Sequence, residues 1–182
     1  MDLKFPSIRI GNQVWMSQNL DVTHFRNGDE IPEVTSNEAF ALHGIEQKPA
    51  WCYYGDDPAN GTKWGKLYNW YAVHDPRGLA PEGWIIPTEA DWLKLESTSG
   101  SDAFFRSQLS GSRGINGAFG GGGVSGYWWQ HDPLTPIRNW GRKISVSSWE
   151  RIDSFKRFGF AVRCIQQFPD GQPKLQREDN TN

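Results

Sequence analysis

The chain has 182 residues, a length that fits one domain built around a single core. Its 19 basic and 21 acidic residues give a formal net charge of -2, which leaves no basic surface for nucleic acid or an anionic membrane. No apolar run is long enough to cross a bilayer. We therefore expect neither nucleic-acid binding nor membrane insertion.

Aromatic residues are unusually numerous, with 10 Trp, 10 Phe and 5 Tyr beside 20 Gly and 11 Pro. Large flat side chains can anchor irregular segments, while glycine and proline favour turns. This composition predicts a loop-rich domain with short regular elements, covering residues 1–165. Residues 166–182 hold only two large apolar side chains, Phe168 and Leu175, and are expected to form a polar tail.

The chain begins with a predicted β-hairpin over residues 8–16, whose two strands flank Gly11-Asn12. This dipeptide suits a two-residue primed turn because both residues tolerate a positive φ. Turn residues interrupt every apolar run in residues 21–54. We expect mostly loop there, with one short helical turn over residues 38–42.

Two short helices are predicted in the middle of the chain. Apolar side chains recur at helical spacing in residues 66–73, which predicts the first helix. Thr88 precedes Asp91 by three residues, the spacing of a capping box, so the second helix is expected to begin at Glu89.

The last third of the domain contains a glycine-rich segment and a predicted closing strand. Residues 111–126 hold eight glycines, and the backbone entropy of so many glycines predicts a loop. Residues 160–165 alternate in the two-residue period of a strand that reaches the core.

Metal-binding and histidine-based chemistry have little support in the sequence. Asp56, Asp57 and Asn60 form the densest group of oxygen ligands, and calcium is the ion that they would suit. Pro58 interrupts the ligand spacing of a calcium loop, which favours a plain Asx turn. The four histidines are scattered singly, so we expect no resident cofactor.

Several ordered motifs resemble the Fibrobacter succinogenes major paralogous domain family of Bacteroidetes and related bacteria. They are Ile10-Gly11-Asn12-Gln13-Val14-Trp15-Met16, Gly65-Lys66-Leu67-Tyr68-Asn69-Trp70-Tyr71-Ala72-Val73, Gly83-Trp84, Gly126-Tyr127-Trp128-Trp129 and Gly159-Phe160-Ala161-Val162-Arg163-Cys164. The segment from Ile86 to Trp92 and the closing motif are also similar to the formylglycine-generating enzyme superfamily, whose fold is a variant of the C-type lectin fold. The resemblance implies an α+β, C-type lectin-like domain with short antiparallel strands, two short helices and long irregular loops.

The same resemblance bears on the two cysteines and on catalysis. Formylglycine-generating enzymes place a catalytic cysteine pair before the closing strand, but residues 147–158 contain no cysteine, so no enzyme activity is expected. The position of Cys164 is structural in that comparison. Cys52 is its only available partner, and a disulfide and two buried thiols both remain open.

In lectin-fold proteins generally, the segment before the last strand builds the ligand face. Alternation along a strand puts Trp128 and Trp129 on opposite sides, so one of them is expected in the core and the other at the surface. The ligand-face candidates are Trp129, Gln130, His131, Arg138, Asn139, Trp140, Arg142, Trp149 and Arg151.

These observations predict a noncatalytic binding module whose ligand is a carbohydrate or a protein. One alternative is a structural or adaptor subunit of a larger bacterial or phage-like assembly, joined as a homo-oligomer or with other proteins through residues 166–182. A second alternative is a diversified receptor of lectin-like fold. The resemblance implies export or a cell-surface location, whereas residues 1–10 lack the apolar region of a signal peptide, so the compartment stays open.

Overall fold

A computed structural model of the protein describes residues 5–98 and 101–167. Helices and strands are mixed, which confirms the α+β class. The helices are α1 (Asn37–Ile45), α2 (Ala59–Trp64), α3 (Trp70–Val73), α4 (Glu89–Glu96) and α5 (Ser101–Arg106), with a 3-10 turn over Tyr54–Asp56. The strands are β1 (Ser7–Ile10), β2 (Gln13–Met16), β3 (Trp51–Cys52), β4 (Leu67–Asn69), β5 (Trp84–Ile85), β6 (Ser110–Arg113), β7 (Phe119–Gly122), β8 (Ser125–Pro133), β9 (Arg138–Ser145), β10 (Trp149–Phe155), β11 (Gly159–Phe160) and β12 (Ile165–Gln166).

The smaller of two sheets joins the beginning of the domain to its end. Its strand order is β1-β2-β12-β5, and all three pairings are antiparallel. The predicted hairpin is confirmed: Ile10 pairs with Gln13 across the two-residue turn, and Gly11 takes the positive φ of 60°. The first hairpin and the last described strand therefore stabilise each other.

The larger sheet has eight strands in the order β10-β9-β8-β6-β11-β4-β3, with β7 paired to β6. At one side β8, β9 and β10 form an antiparallel meander of long strands. The β8–β9 register shifts between Trp129 and Pro133, which marks a bulge near the end of β8. Strand β10 is the outermost strand on this side.

Two hydrophobic clusters cover the two faces of β8. Trp128 belongs to the cluster that contains Trp92 and Phe105, whereas Trp129 belongs to the cluster that contains Trp70 and Phe160. Both indoles are fully buried. Alternation along the strand was predicted correctly, but the expectation that one of the two Trp side chains reaches the surface was wrong because both faces of the sheet are covered.

The capping box at the start of α4 is confirmed. The Thr88 hydroxyl accepts from the Asp91 backbone N–H, and the Asp91 carboxylate accepts from the Thr88 backbone N–H at 2.9 Å. The helical turn near residues 38–42 is also confirmed, as part of the nine-residue helix α1. The expected total of two short helices was wrong, since the described residues contain five.

Residues 66–73 divide between a strand and a helix, so the prediction of one continuous helix was wrong in its first half. Strand β4 pairs with β3 and β11, and these tertiary pairings override the helical spacing of its side chains. The Asn69 side chain then accepts from Ala72 N and caps α3. The predicted strand over residues 160–165 is likewise divided, into β11 and β12.

The glycine-rich segment is not a loop, which corrects the prediction for residues 111–126. Strands β6 and β7 and the start of β8 occupy it. A Cβ at Gly111 would lie 2.6 Å from the Gly120 carbonyl oxygen, and one at Gly122 would lie 2.5 Å from the Tyr54 ring. These glycines permit close approach of strands and an aromatic ring, a long-range requirement that composition does not reveal.

Candidate functional site

The nine predicted ligand-face residues all lie on β8, β9 and β10, but they divide between the two faces of the sheet. The pairings Trp128 with Arg142 and Arg142 with Arg151 place their side chains on the α4 side. Trp129 and Asn139 point to the other side. A single surface therefore cannot contain all nine side chains.

Four of the nine candidates are buried, so their assignment to an exposed ligand face was wrong. Trp129 packs on Phe160 with ring centroids 4.5 Å apart and donates its indole N–H to the Tyr68 carbonyl at 2.8 Å. Gln130 and Asn139 are fully buried and Arg142 is 3% exposed. Helix α4 covers Gln130 and Arg142, and the cluster that contains Trp70 and Phe160 covers Trp129.

A fifth candidate, Trp149, is only partly exposed and belongs mainly to the core. Its ring packs on Phe105 with centroids 5.6 Å apart and on Trp92 at 6.4 Å. The indole N–H is buried and has no partner within the described ranges. Trp149 therefore anchors one end of β10 rather than forming an open binding surface.

The Glu89 carboxylate joins helix α4 to all three long strands. It accepts from Gln130 Nε2 at 2.6 Å on β8 and from Arg142 Nη2 at 3.2 Å on β9. Arg151 Nε on β10 lies 3.2 Å from the same carboxylate. We call these four residues the Glu89 cluster. The sequence indicates Glu89 only as the first residue of a helix, because its partners lie far away along the chain.

Several buried polar atoms beside the Glu89 cluster have no partner among the residues that the structure describes. They are Trp92 Nε1, Gln130 Oε1, Asn139 Oδ1, Arg142 Nε and Trp149 Nε1. Buried polar atoms of this kind are commonly satisfied by internal water. The region around the Glu89 cluster therefore contains buried polar groups whose hydrogen bonds the described side chains do not supply.

The part of the predicted ligand face that stays accessible centres on the half-buried Trp140. The Arg151 guanidinium lies over the Trp140 ring, 3.9 Å from its centroid. Beside this stack, Arg138 forms an ion pair with Asp153 and lies over the Phe155 ring at 4.4 Å. We call the side chains of Arg138, Trp140, Arg151 and Asp153 the Trp140 surface.

His131 lies near a different surface. Its ring centroid is 6.0 Å from that of His74, which stacks on Trp70 at 5.4 Å. His74 and Trp70 border an open groove of about 320 Å³, which was not predicted from the sequence. Its lining includes Pro49, Tyr71, His74, Pro76, Pro136 and Lys156.

A second, wider open groove, about 920 Å³, lies away from the predicted ligand face. Its lining includes Asp21, His24, Arg26, Glu82, Trp84 and Gln166. Phe5 and Gln166 lie close to the ends of the described ranges. Of the tail predicted for residues 166–182, only Gln166 and Gln167 lie within the described residues.

The oxygen-rich segment is used for internal contacts. Asp56 forms an ion pair with the buried Arg113 at 3.0 Å, and Asp57 accepts from Ala59 N at 2.9 Å, which is the predicted Asx turn. Asn60 donates to the Tyr54 carbonyl at 2.8 Å. Within residues 5–98 and 101–167, no three His, Cys, Asp or Glu side chains are grouped closely enough to hold a metal ion.

Cys52 and Cys164 are separate buried thiols. They belong to different hydrophobic clusters, so the alternative of two buried thiols holds and the disulfide is absent. Burial raises the pKa of each thiol to about 12, because the thiolate would lose its hydration. Both side chains are therefore uncharged packing groups at neutral pH.

Comparison with known proteins gives one family match. Residues 8–104, slightly more than half of the chain, match the Fibrobacter succinogenes major domain. No curated protein and no solved structure matches the chain. None of the helices in the described part of the chain is both long enough and apolar enough to cross a membrane.

Proposed function

The chain belongs to the Fibrobacter succinogenes major domain family, and from this premise we propose that it is a noncatalytic binding module that recognises a protein through the Trp140 surface. We further propose a C-type lectin-like fold that is distantly similar to the formylglycine-generating enzyme superfamily. The mixture of short helices with short antiparallel strands, and the pairing of the first hairpin with the last described strand, support this architecture.

One observation carries the proposal of binding: a preorganised Trp-Arg pair lies at the surface of a rigid sheet. The Arg151 guanidinium forms an ion pair with the Glu89 carboxylate and also lies over the Trp140 ring. The Trp140 indole N–H has no hydrogen-bond partner among the described residues, so it can donate to a ligand. Tryptophan and arginine are enriched among the residues that dominate protein interfaces, and prior fixation lowers the entropy cost of binding.

The shape and charge of this surface favour a protein over a carbohydrate. Trp140 lines neither of the two open grooves described above, and small ligands generally bind in concave sites. Arg151 already covers one face of the indole, the kind of face on which a sugar ring would stack. Arg138 and Asp153 form an ion pair beside it, as is common at the polar rim of a protein interface.

The contacts of the candidate site also support binding rather than catalysis. Three donors contact the Glu89 carboxylate, so its oxygens already serve contacts between α4 and the long strands. Both thiols are buried, and burial raises the pKa of each to about 12, so neither is an activated nucleophile.

A selection from a defined library tests the proposed function. A random peptide library displayed on phage is selected on the immobilised full chain and, separately, on Trp140→Ala and on Leu42→Ala, a control at an exposed position on α1. We expect enriched peptides that bind the wild type and the control but not Trp140→Ala. A glycan array in parallel tests the carbohydrate alternative. Peptides that bind all three proteins equally, or glycan binding that depends on Trp140, would overturn the proposal.

A further inference from the structure

Strand β10 has seven residues and is an outer strand, with one edge unpaired among the residues that the structure describes. It ends the eight-stranded sheet, and its pairing within the described residues is with β9 alone. Open edges of this length can pair with a strand of another chain, and natural proteins usually block them. The outward backbone groups and the side-chain charges of β10 therefore indicate which strand can pair with it.

The hydrogen-bond pattern shows which residues face outward. Lys156 N donates to the Ile137 carbonyl at one end of the β9–β10 pair, and Ser145 N donates to the Ser148 carbonyl at the other. Because the hydrogen-bonded positions of an antiparallel pair alternate, the even-numbered residues of β10 bond to β9. The backbone groups of Trp149, Arg151, Asp153 and Phe155 point away from it.

We infer that β10 pairs with β10 of a second copy of this chain, antiparallel and about a twofold axis at Ile152. In this register Arg151 lies opposite Asp153 of the second copy, and the reverse pair repeats the contact. Trp149 lies opposite Phe155 of the second copy at both ends. The strand is thus self-complementary in charge and in aromatic character, as an isologous interface requires.

The neighbouring registers are disfavoured. A twofold axis at Arg151 would place two arginines opposite each other, and one at Asp153 would place two carboxylates opposite each other. A twofold axis between two residues would place outward-facing backbone groups opposite groups that already bond to β9. The two β10 strands could then form no hydrogen bonds with each other. Only the register centred on Ile152 gives both features: backbone hydrogen bonds between the outward-facing residues, and side chains of opposite charge facing each other.

Dimer formation would extend the sheet continuously across the two copies. Trp140 pairs with Asp153 and lies on the same face as Arg151, so both Trp140 surfaces would lie on one side of the joined sheet. The dimer thereby presents two binding surfaces together. This inference does not depend on what the Trp140 surface binds.

The mass of the full chain in solution, measured by light scattering after size exclusion, tests the pairing. Asp153→Pro removes an outward N–H without removing a bond to β9. Arg9→Pro is the matched control, since Arg9 is exposed, lies on the outer strand β1, and has an N–H that points away from β2 by the same alternation. We expect twice the chain mass of 20.7 kDa for the wild type and Arg9→Pro, and the single-chain mass for Asp153→Pro.

A charge-exchange pair makes the test specific for register. Asp153→Lys and Arg151→Glu each place like charges opposite each other in a homodimer, so each variant alone should be monomeric. Mixed together, they restore opposite charges at both positions and should give a heterodimer. Circular dichroism of each variant verifies folding. A monomeric wild type, or a dimer unaffected by Asp153→Pro and by either charge change, would overturn the inference.

Discussion

The guanidinium of Arg151 lies 3.9 Å from the centroid of the Trp140 ring and contacts the Glu89 carboxylate at the same time. This contact joins a surface aromatic ring to the first residue of helix α4. The arrangement stabilises one orientation of both side chains before any ligand arrives. It is the feature that separates Trp140 from the buried tryptophans of the same strands.

Two tryptophans of the meander should respond differently to truncation. Trp129→Ala is expected to lower the free energy of unfolding by about 3–5 kcal/mol, because the ring is fully buried and packs on Phe160. Trp140→Ala should lower it by clearly less than Trp129→Ala does, because the Trp140 ring is only half-buried. Urea unfolding monitored by circular dichroism measures both values. Equal losses for the two variants would contradict the assignment.

Two glycines with positive φ allow a matched test of close packing in the glycine-rich segment. Alanine at Gly123 meets open space, so its cost is the backbone strain of about 1–2 kcal/mol. Alanine at Gly111 has the same strain and would also contact Gly120 at 2.6 Å. We expect Gly111→Ala to reduce the urea midpoint much further than Gly123→Ala. Similar midpoints would show that β6 and β7 can separate at little cost.

The capping box predicts a moderate effect at the start of α4. Thr88→Ala removes the acceptor of the Asp91 N–H and should reduce stability by about 1 kcal/mol. Ser97→Ala, at the other end of this helix, removes a hydroxyl that donates to the Lys94 carbonyl, and serves as the control. Its expected effect is a few tenths of a kcal/mol. A control that costs as much as Thr88→Ala would refute the role of the cap.

The two buried thiols predict a loss of stability in alkaline solution. The pKa of each is raised by burial from 9.0 to about 12, so the unfolded chain releases these protons at lower pH than the folded chain. The contribution of the two protonated thiols to the free energy of unfolding is fully present below pH 9. Between pH 9 and 12 it falls, by up to about 1.4 kcal/mol per thiol for each pH unit.

Urea unfolding at several pH values from 8 to about 10.5 measures this effect against a Cys52→Ala, Cys164→Ala double variant. The wild type should lose stability more steeply with pH, although the double variant is less stable overall because its core contains small cavities. A thiol reagent should label both cysteines only after unfolding. Parallel pH dependence for the two proteins, or rapid labelling of the folded chain, would contradict the burial of the thiols.

Local chemistry was sufficient to predict some elements of this fold. Gly11 determines the two-residue turn through its own φ, and Thr88 and Asp91 determine a helix start within four residues. The secondary structure of residues 111–126 was mispredicted because their glycines allow close contacts with Tyr54 and between neighbouring strands. Backbone entropy argues for a loop only when no distant partner compensates for it.

The candidate site also depends on contacts between distant residues, which the local sequence does not reveal. The sequence predicted opposite directions for Trp128 and Trp129, since alternation is a local property. It did not predict strands β9 and β10, whose residues were expected to be irregular. Burial of Trp129 requires α3 and β11 to cover one face, and the Glu89 cluster requires α4 to cover the other. Neither covering element can be assigned to a face from the spacing of residues within the strand.

Binding of a protein through the Trp140 surface can be measured by comparing the affinities of several variants for one selected peptide. Isothermal titration would measure its Kd for the wild type, Trp140→Ala, Arg151→Ala and the Leu42→Ala control, with folding verified for each. We expect at least about tenfold weaker binding for both Trp140→Ala and Arg151→Ala, since interface anchors of this type contribute more than about 1.4 kcal/mol. The Leu42→Ala control should bind as the wild type does. An unchanged Kd for Trp140→Ala and Arg151→Ala would show that the peptide does not bind at the Trp140 surface.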